Sequence, residues 1–164
     1  MDHLLPHLKS LAKGREAETT QYFNKLKRRK PTVLDETVAG IHEEVFAKTD
    51  CLKCANCCKT TGPLFTQRDM DRIAKHLGIK TGEFIQRYLY MDEDGDFVLK
   101  QVPCEFLGAD NMCSIYEVRP QACRQYPHTD HTNFHQILDL TLKNTFICPA
   151  AYEVIERLKK ALPM

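Results

Sequence analysis

The chain has 164 residues, 43% of them hydrophobic and 27% charged, with a formal net charge of +1 at neutral pH. That length suits one domain with a modest apolar core; the composition excludes a disordered chain, and the near-neutral balance excludes a large field aimed at nucleic acid or a membrane surface. The opening MDHLLPHLKSLAKG lacks the parts of a secretory signal, and the longest apolar run, 146–152, falls far short of the about 20 residues that span a bilayer, so the expectation is a soluble, cytoplasmic protein.

In chain order, Leu4, Leu5, Leu8 and Leu11 recur at helical spacing. Leu34, Val38, Ile41 and Val45 do the same behind Pro31, which predicts two or three amphipathic helices in the first fifty residues. The basic run Lys25–Lys30 between them reads as a solvated helix end before a proline, not as a nucleic-acid contact. Thr66 and Asp69 form a capping box that opens a helix through Met70, Ile73, Ala74 and Leu77, closed by Gly78. Thr81 opens the next helix, with Phe84, Ile85, Tyr88 and Leu89 on its buried side. The acidic stretch 92–96 makes a hairpin turn without the twelve-residue calcium-loop pattern, and 97–102 reads as a strand. In 103–128, Gly108, Asp110 and Asn111 can fold Cys104 back toward Cys113, and Pro120 opens a helical turn that carries Cys123 and closes at Pro127. After Cys148 a last helix turns Tyr152, Ile155, Leu158 and Leu162 inward and pairs Glu156 with Lys160 outside. The fold class is thus α+β: a mainly helical small domain with short β-hairpin segments and an irregular, metal-stapled centre. Residues 1–49 are expected as an N-terminal helical extension packed on the core, and 50–164 as a cysteine-cluster metal-binding domain with a C-terminal helix.

Eight cysteines stand in the chain, four of them within CLKCANCC, residues 51–58. A reducing cytosol disfavours a disulfide framework and makes clustered thiols metal ligands or nucleophiles. Two intervening residues let a turn aim two thiolates at one point, and Cys51, Cys54 and Cys57 repeat that spacing twice. Cys148, followed by Pro149, supplies a remote fourth ligand in the manner of ferredoxin runs. The side chain of Cys58 cannot easily point where that of Cys57 does, so the doublet feeds two sites or one polynuclear site. Cys58, Cys104, Cys113 and Cys123 then make a second set of four, and other pairings stay open. Four thiolates and one zinc ion carry a net charge of about −2, which Lys53, Lys59, Arg119 and Arg124, adjacent to the ligands in sequence, would offset.

CLKCANCCK, PCEFLGADNMCSIYEVRPQACRQYP and the later Cys-Pro together resemble the YkgJ-type cysteine-cluster family, named for zinc or iron chelation, over roughly residues 50–150. The resemblance implies that Cys51, Cys54, Cys57, Cys58, Cys104, Cys113, Cys123 and Cys148 all belong to the family's metal site. The cluster is also similar to those of flagellin lysine-methylating proteins, which implies iron-sulfur chemistry, a 4Fe-4S cluster included, as a second possibility.

His128, His131 and His135 follow Cys123, and on a helix the last two would share a face, but no HExxH glutamate accompanies them and they rank below the thiols. His3, His7, His42 and His76 fall on predicted helices and receive no role. Arg124 beside Cys123 could activate a nucleophilic thiol, yet eight clustered cysteines fit ligation better. No GxSxG, Walker or GxGxxG pattern occurs, so no catalytic residue is assigned. Two function classes follow. One is a zinc or iron module whose metal supplies folding free energy and whose helices bind a protein partner. The other is an iron-sulfur protein serving electron transfer or a protein-modifying, methylation-type system.

Overall fold

The structure, a computed structural model, describes residues 4–164; of the histidines weighed above, His3 lies outside them. After a 3₁₀ turn at Leu5–His7, the chain forms α1 (Leu8–Leu26), α2 (Pro31–Phe46) and two short helices, α3 (Cys51–Cys54) and α4 (Asn56–Thr60). There follow β1 (Leu64–Phe65), α5 (Gln67–Leu77), α6 (Thr81–Tyr88), β2 (Leu89–Met91), β3 (Phe97–Leu99), α7 (Gln121–Gln125), α8 (Leu138–Thr145) and α9 (Pro149–Ala161). The protein is mainly helical with one small antiparallel sheet, the α+β class expected. It divides into two compact units: the described residues up to Asp50 together with Pro127–Met164, and Cys51–Tyr126. The cut after Tyr126 has no counterpart in the expected division into 1–49 and 50–164.

The first unit is a helical assembly of α1, α2, α8 and α9. Pro31 sits at the first position of α2, where its missing N–H costs nothing, and Leu34, Val38 and Val45 project from that helix into the core at 1% exposure or less. They pack with Tyr22, Phe23, Leu26, Phe134, Leu138, Val154, Ile155 and Leu158. The buried stripe of α1 runs from Leu8 to Ala12, Thr19, Tyr22, Phe23 and Leu26, while Leu11 turns outward. In α9, Ile155 and Leu158 are buried as expected, whereas Tyr152 and Leu162 are only partly covered. Glu156 pairs with Lys159 at 2.6 Å instead of Lys160, and Lys159 also reaches Glu18 at 3.3 Å. Among the described residues no helix is long and apolar enough to cross a membrane.

The second unit is built around the sheet β1-β3-β2 and the helices α5 and α6. Leu64 pairs with Val98 and Phe65 with Phe97, while Leu89, Tyr90 and Met91 pair with Leu99, Val98 and Phe97. Buried Phe65, Leu89 and Leu99 meet Met70, Ile73, Phe84, Phe106 and Ile115 in one core. The capping box on α5 is present in both directions, and Gly78 ends the helix in the left-handed region at φ +70°. Leu89, expected on the buried side of α6, instead begins β2: the hairpin register with Leu99 takes it. The expected strand over 97–102 is limited to Phe97–Leu99.

Candidate metal centre

Seven of the eight cysteines lie in the 51–126 unit. Cys51 and Cys54 open and close α3; Cys57 and Cys58 lie on α4. Between the two helices Ala55 adopts φ +45°, ψ +18°, a left-handed conformation that breaks what would otherwise be one continuous helix and re-aims the second pair of thiols. The Sγ atoms of Cys57 and Cys58 stand 4.0 Å apart.

Local bonding draws the next two segments to this turn. The Cys104 amide donates to the Cys58 carbonyl at 2.8 Å, and the Leu107 amide donates to the Cys104 carbonyl at 3.0 Å. Leu107 forms an antiparallel bridge with Cys113, closed by Gly108 N–H to the Met112 carbonyl at 2.8 Å, so the hairpin expected around Gly108 exists. A Cβ on Gly108 would fall 2.6 Å from Asp110 Oδ1 and 3.3 Å from the Met112 carbonyl, which explains the glycine. Asn111, left-handed at φ +65°, donates its side-chain amide to the Lys53 carbonyl at 3.1 Å and so ties α3 to this hairpin.

Cys123 lies on α7, directly after a segment clamped from α5. Buried Asp69 accepts from the Gln121 amide at 3.1 Å, and Arg72 donates to the Val118 and Arg119 carbonyls at 3.2 and 2.9 Å. These positioning roles were not assigned from the sequence: Asp69 carries a capping signal, but nothing local tells that its second oxygen serves a chain segment 52 residues away.

The thiols of Cys58, Cys104, Cys113 and Cys123 act electrostatically on one another. The charge of Cys58 raises the pKa of each of the other three, and Cys123 also feels Cys104 and Cys113. Burial is the largest cause at those three: it pushes Cys104 up to about 11, Cys123 up to about 12, and Cys113 upward. Cys58 moves the other way, down to about 7: the hydrogen bond it shares with the Cys57 thiol lowers it more than burial raises it, and its own backbone amide and then Lys59 lower it further. Arg119 lowers both Cys113 and Cys123; its guanidinium stacks 3.8 Å over the Tyr116 ring and donates to the Tyr116 carbonyl at 2.7 Å. Of the four cations expected to offset thiolate charge, Lys59 and Arg119 therefore act on cysteines, whereas Arg124 donates to the carbonyls of Arg119 and Glu117.

No disulfide joins the cysteines. Among the described residues no three His, Cys, Asp or Glu side chains form a ready-made cage for a metal ion, so Cys58, Cys104, Cys113 and Cys123 do not make a closed coordination shell. As a donor set they nonetheless fit a thiophilic cation: four soft ligands, partly withdrawn from water, with two cations beside them.

The remaining candidates lie in the first unit. Cys148 caps α9, accepting the Ala151 amide on its sulfur at 3.4 Å. His131 lies outside any helix and His135 in the 3₁₀ turn Phe134–Gln136, so the two do not share a helical face, contrary to that possibility in the sequence. Burial, and after it the neighbouring His131, lower the pKa of His128 against an opposing pull from Asp130.

Compared with known families, residues 50–141 match the CxxCxxCC family, described as "Putative zinc- or iron-chelating domain". No curated protein and no solved structure matches the chain.

Proposed function

This chain belongs to the CxxCxxCC family of zinc- or iron-chelating domains, and from that premise we propose that it binds zinc or iron through its eight cysteines, Cys51, Cys54, Cys57, Cys58, Cys104, Cys113, Cys123 and Cys148. One observation supports the reading: segments far apart in sequence, 57–58, 104–113 and 123, lie in one compact unit, where the Cys104 amide bonds the Cys58 carbonyl and the charge of Cys58 raises the pKa of Cys104, Cys113 and Cys123. Burial and the charge of Cys58 disfavour the thiolate forms of Cys104, Cys113 and Cys123. A divalent cation reverses that balance, because it displaces the thiol protons and takes the thiolates as ligands.

The chemistry such a cation supplies is structural: it cross-links turns that have few buried apolar side chains of their own. The chain's residues do the rest. The Cys104 amide bond to Cys58 and the Gly108 turn hold sulfurs in range, the Asp69–Arg72 clamp presents α7, and Lys59 and Arg119 offset the negative charge. Protein purified without oxygen is expected to carry zinc or iron by elemental analysis, and its visible spectrum distinguishes a pale zinc protein from a brown iron-sulfur one. Cys54→Ser and Cys113→Ser are each expected to lower metal content and thermal stability together. Undiminished loading in both variants would remove these two positions from the ligand set.

A further inference from the structure

We propose that the cleft lined by Lys25, Arg28, Arg29 and Met164 binds a phosphate monoester of a small organic molecule, independently of the cysteines and of any metal they hold.

The end of α1 concentrates charge of one sign. Five of the six residues 25–30 are lysine or arginine, and no Asp or Glu occurs between Glu18 and Asp35. Helical winding continues past Leu26, with the Arg28 amide on the Lys25 carbonyl at 3.1 Å and the Arg29 amide on the Leu26 carbonyl at 2.9 Å. Lys25 thus stands three and four positions before Arg28 and Arg29, the spacing at which side chains of one helix face meet and like charges repel. All three side chains are exposed. Lys27 has Asp139 at 3.9 Å, whereas among the described residues no carboxylate pairs with Lys25, Arg28 or Arg29. The C-terminal ends of α1 and α9 each present about half a negative elementary charge, too little to offset three cations.

The same cations line a concavity. Together with Met164 they border about 380 Å³ open to solvent, a volume within the range of small-ligand sites. Its frame is anchored: the Tyr22 hydroxyl donates to the Leu158 and Leu162 carbonyls at 3.0 Å each, tying α1 to the end of α9, and fully buried Leu26 seats α1 in the core directly after Lys25. Arg29 Nε donates to Met164 Sδ at 3.4 Å, a weak acceptor that leaves the other N–H groups of the guanidinium for a stronger one.

Two guanidinium forks and one ammonium suit the oxygens of a phosphate group, which arginine binds in bidentate fashion. The wall of the cleft is mostly carbon, from the side-chain stems and the Met164 thioether, so it receives an organic group that a free ion lacks. The net charge of the chain is only +1, so outside 25–30 acidic residues outnumber basic ones. That balance favours a compact anion over a nucleic-acid strand or an anionic membrane, both of which recruit extended basic surfaces.

The test uses the full, metal-loaded chain labelled with ¹⁵N, and phenyl phosphate as the probe. Saturable shifts are expected at the amides of residues 25–30 and 164, weakening as salt rises. Inorganic phosphate is expected to act on the same amides several-fold more weakly, and phenol not at all. The variant Arg28→Gln/Arg29→Gln, which changes only exposed side chains, is expected to keep the rest of the wild-type spectrum and to bind phenyl phosphate about tenfold more weakly. Arg28→Lys/Arg29→Lys, which keeps the charge and loses the forks, is expected to fall between the two. The proposal is overturned if phenyl phosphate leaves residues 25–30 unmoved or shifts only 51–126, where bound metal would be its target, or if the glutamine variant binds as the wild type does. Equal affinity for phenyl phosphate, inorganic phosphate and sulfate would mean an adventitious ion only, and would overturn it too. So would a short single-stranded oligonucleotide that shifts 25–30 at concentrations where phenyl phosphate does not.

Discussion

Asp69 shows how much one side chain can organise. It is 1% exposed and accepts from the Thr66 amide, the Thr66 hydroxyl, Arg72 and the Gln121 amide, all within 3.1 Å. Burial alone would raise its pKa, but the bonds from Thr66, Arg72 and Gln121 outweigh it and hold the carboxyl below its usual 3.8. In acid the unfolded chain then binds more protons than the folded one, so this contribution is complete above that value and fades as pH falls through the folded pKa. Asp69→Asn is expected to lower unfolding free energy by about 2–3 kcal/mol at pH 7 and to flatten the acid limb, as read from urea titrations across pH. An unchanged midpoint at neutral pH would contradict the clamp. Tyr22 behaves oppositely: its hydroxyl bonds the Leu158 and Leu162 carbonyls, each at 3.0 Å, and burial pushes the phenol up to about 12. The unfolded chain ionises first, near 10, so stability declines as pH rises from about 10 toward 12. Tyr22→Phe is expected to cost about 1 kcal/mol at pH 7 and to melt with a shallower alkaline decline.

At the level of elements, the 104–113 hairpin has its own test. Gly108→Ala places a methyl against Asp110 Oδ1, which is already held by the Met112 amide at 3.0 Å, and against the Met112 carbonyl, so neither neighbour can yield cheaply. The expected loss is about 1–3 kcal/mol together with weaker metal retention against a chelator, measured by thermal melts and elemental analysis. Elements with local signals were readable in the sequence: the Thr66–Asp69 box, the Gly78 stop, Pro31 at a helix start, and the turn at Gly108. Those that depend on distant partners were not. β1 has two residues and exists because Val98 and Phe97 lie beside it, and Leu89 leaves its helix because Leu99 offers a strand position. The break between α3 and α4 escaped notice because alanine, a strong helix former, sits in a left-handed conformation at φ +45°.

Across the molecule, the helices that flank the cysteine region in sequence, up to Asp50 and after Pro127, belong to one compact unit, and residues 51–126 form another. Amphipathic periodicity identified the flanking helices but not their association, which is a matter of contacts between residues more than a hundred positions apart, such as Tyr22 with Leu158. Removing metal from the loaded chain is expected to accelerate amide exchange in α4, the 104–113 hairpin, α7 and the first turn of α9 behind Cys148, while α1, α2 and α8 keep their protection. Unchanged exchange in α4, the hairpin and α7 would speak against a metal that staples them. The sulfur that receives the Ala151 amide at the start of α9 has a practical consequence for such work. A hydroxyl performs that duty at least as well as a thiol, so Cys148→Ser leaves the last helix anchored while deleting the only thiol of its unit. Any metal that variant fails to carry measures ligation alone, free of the unfolding that clouds most cysteine replacements.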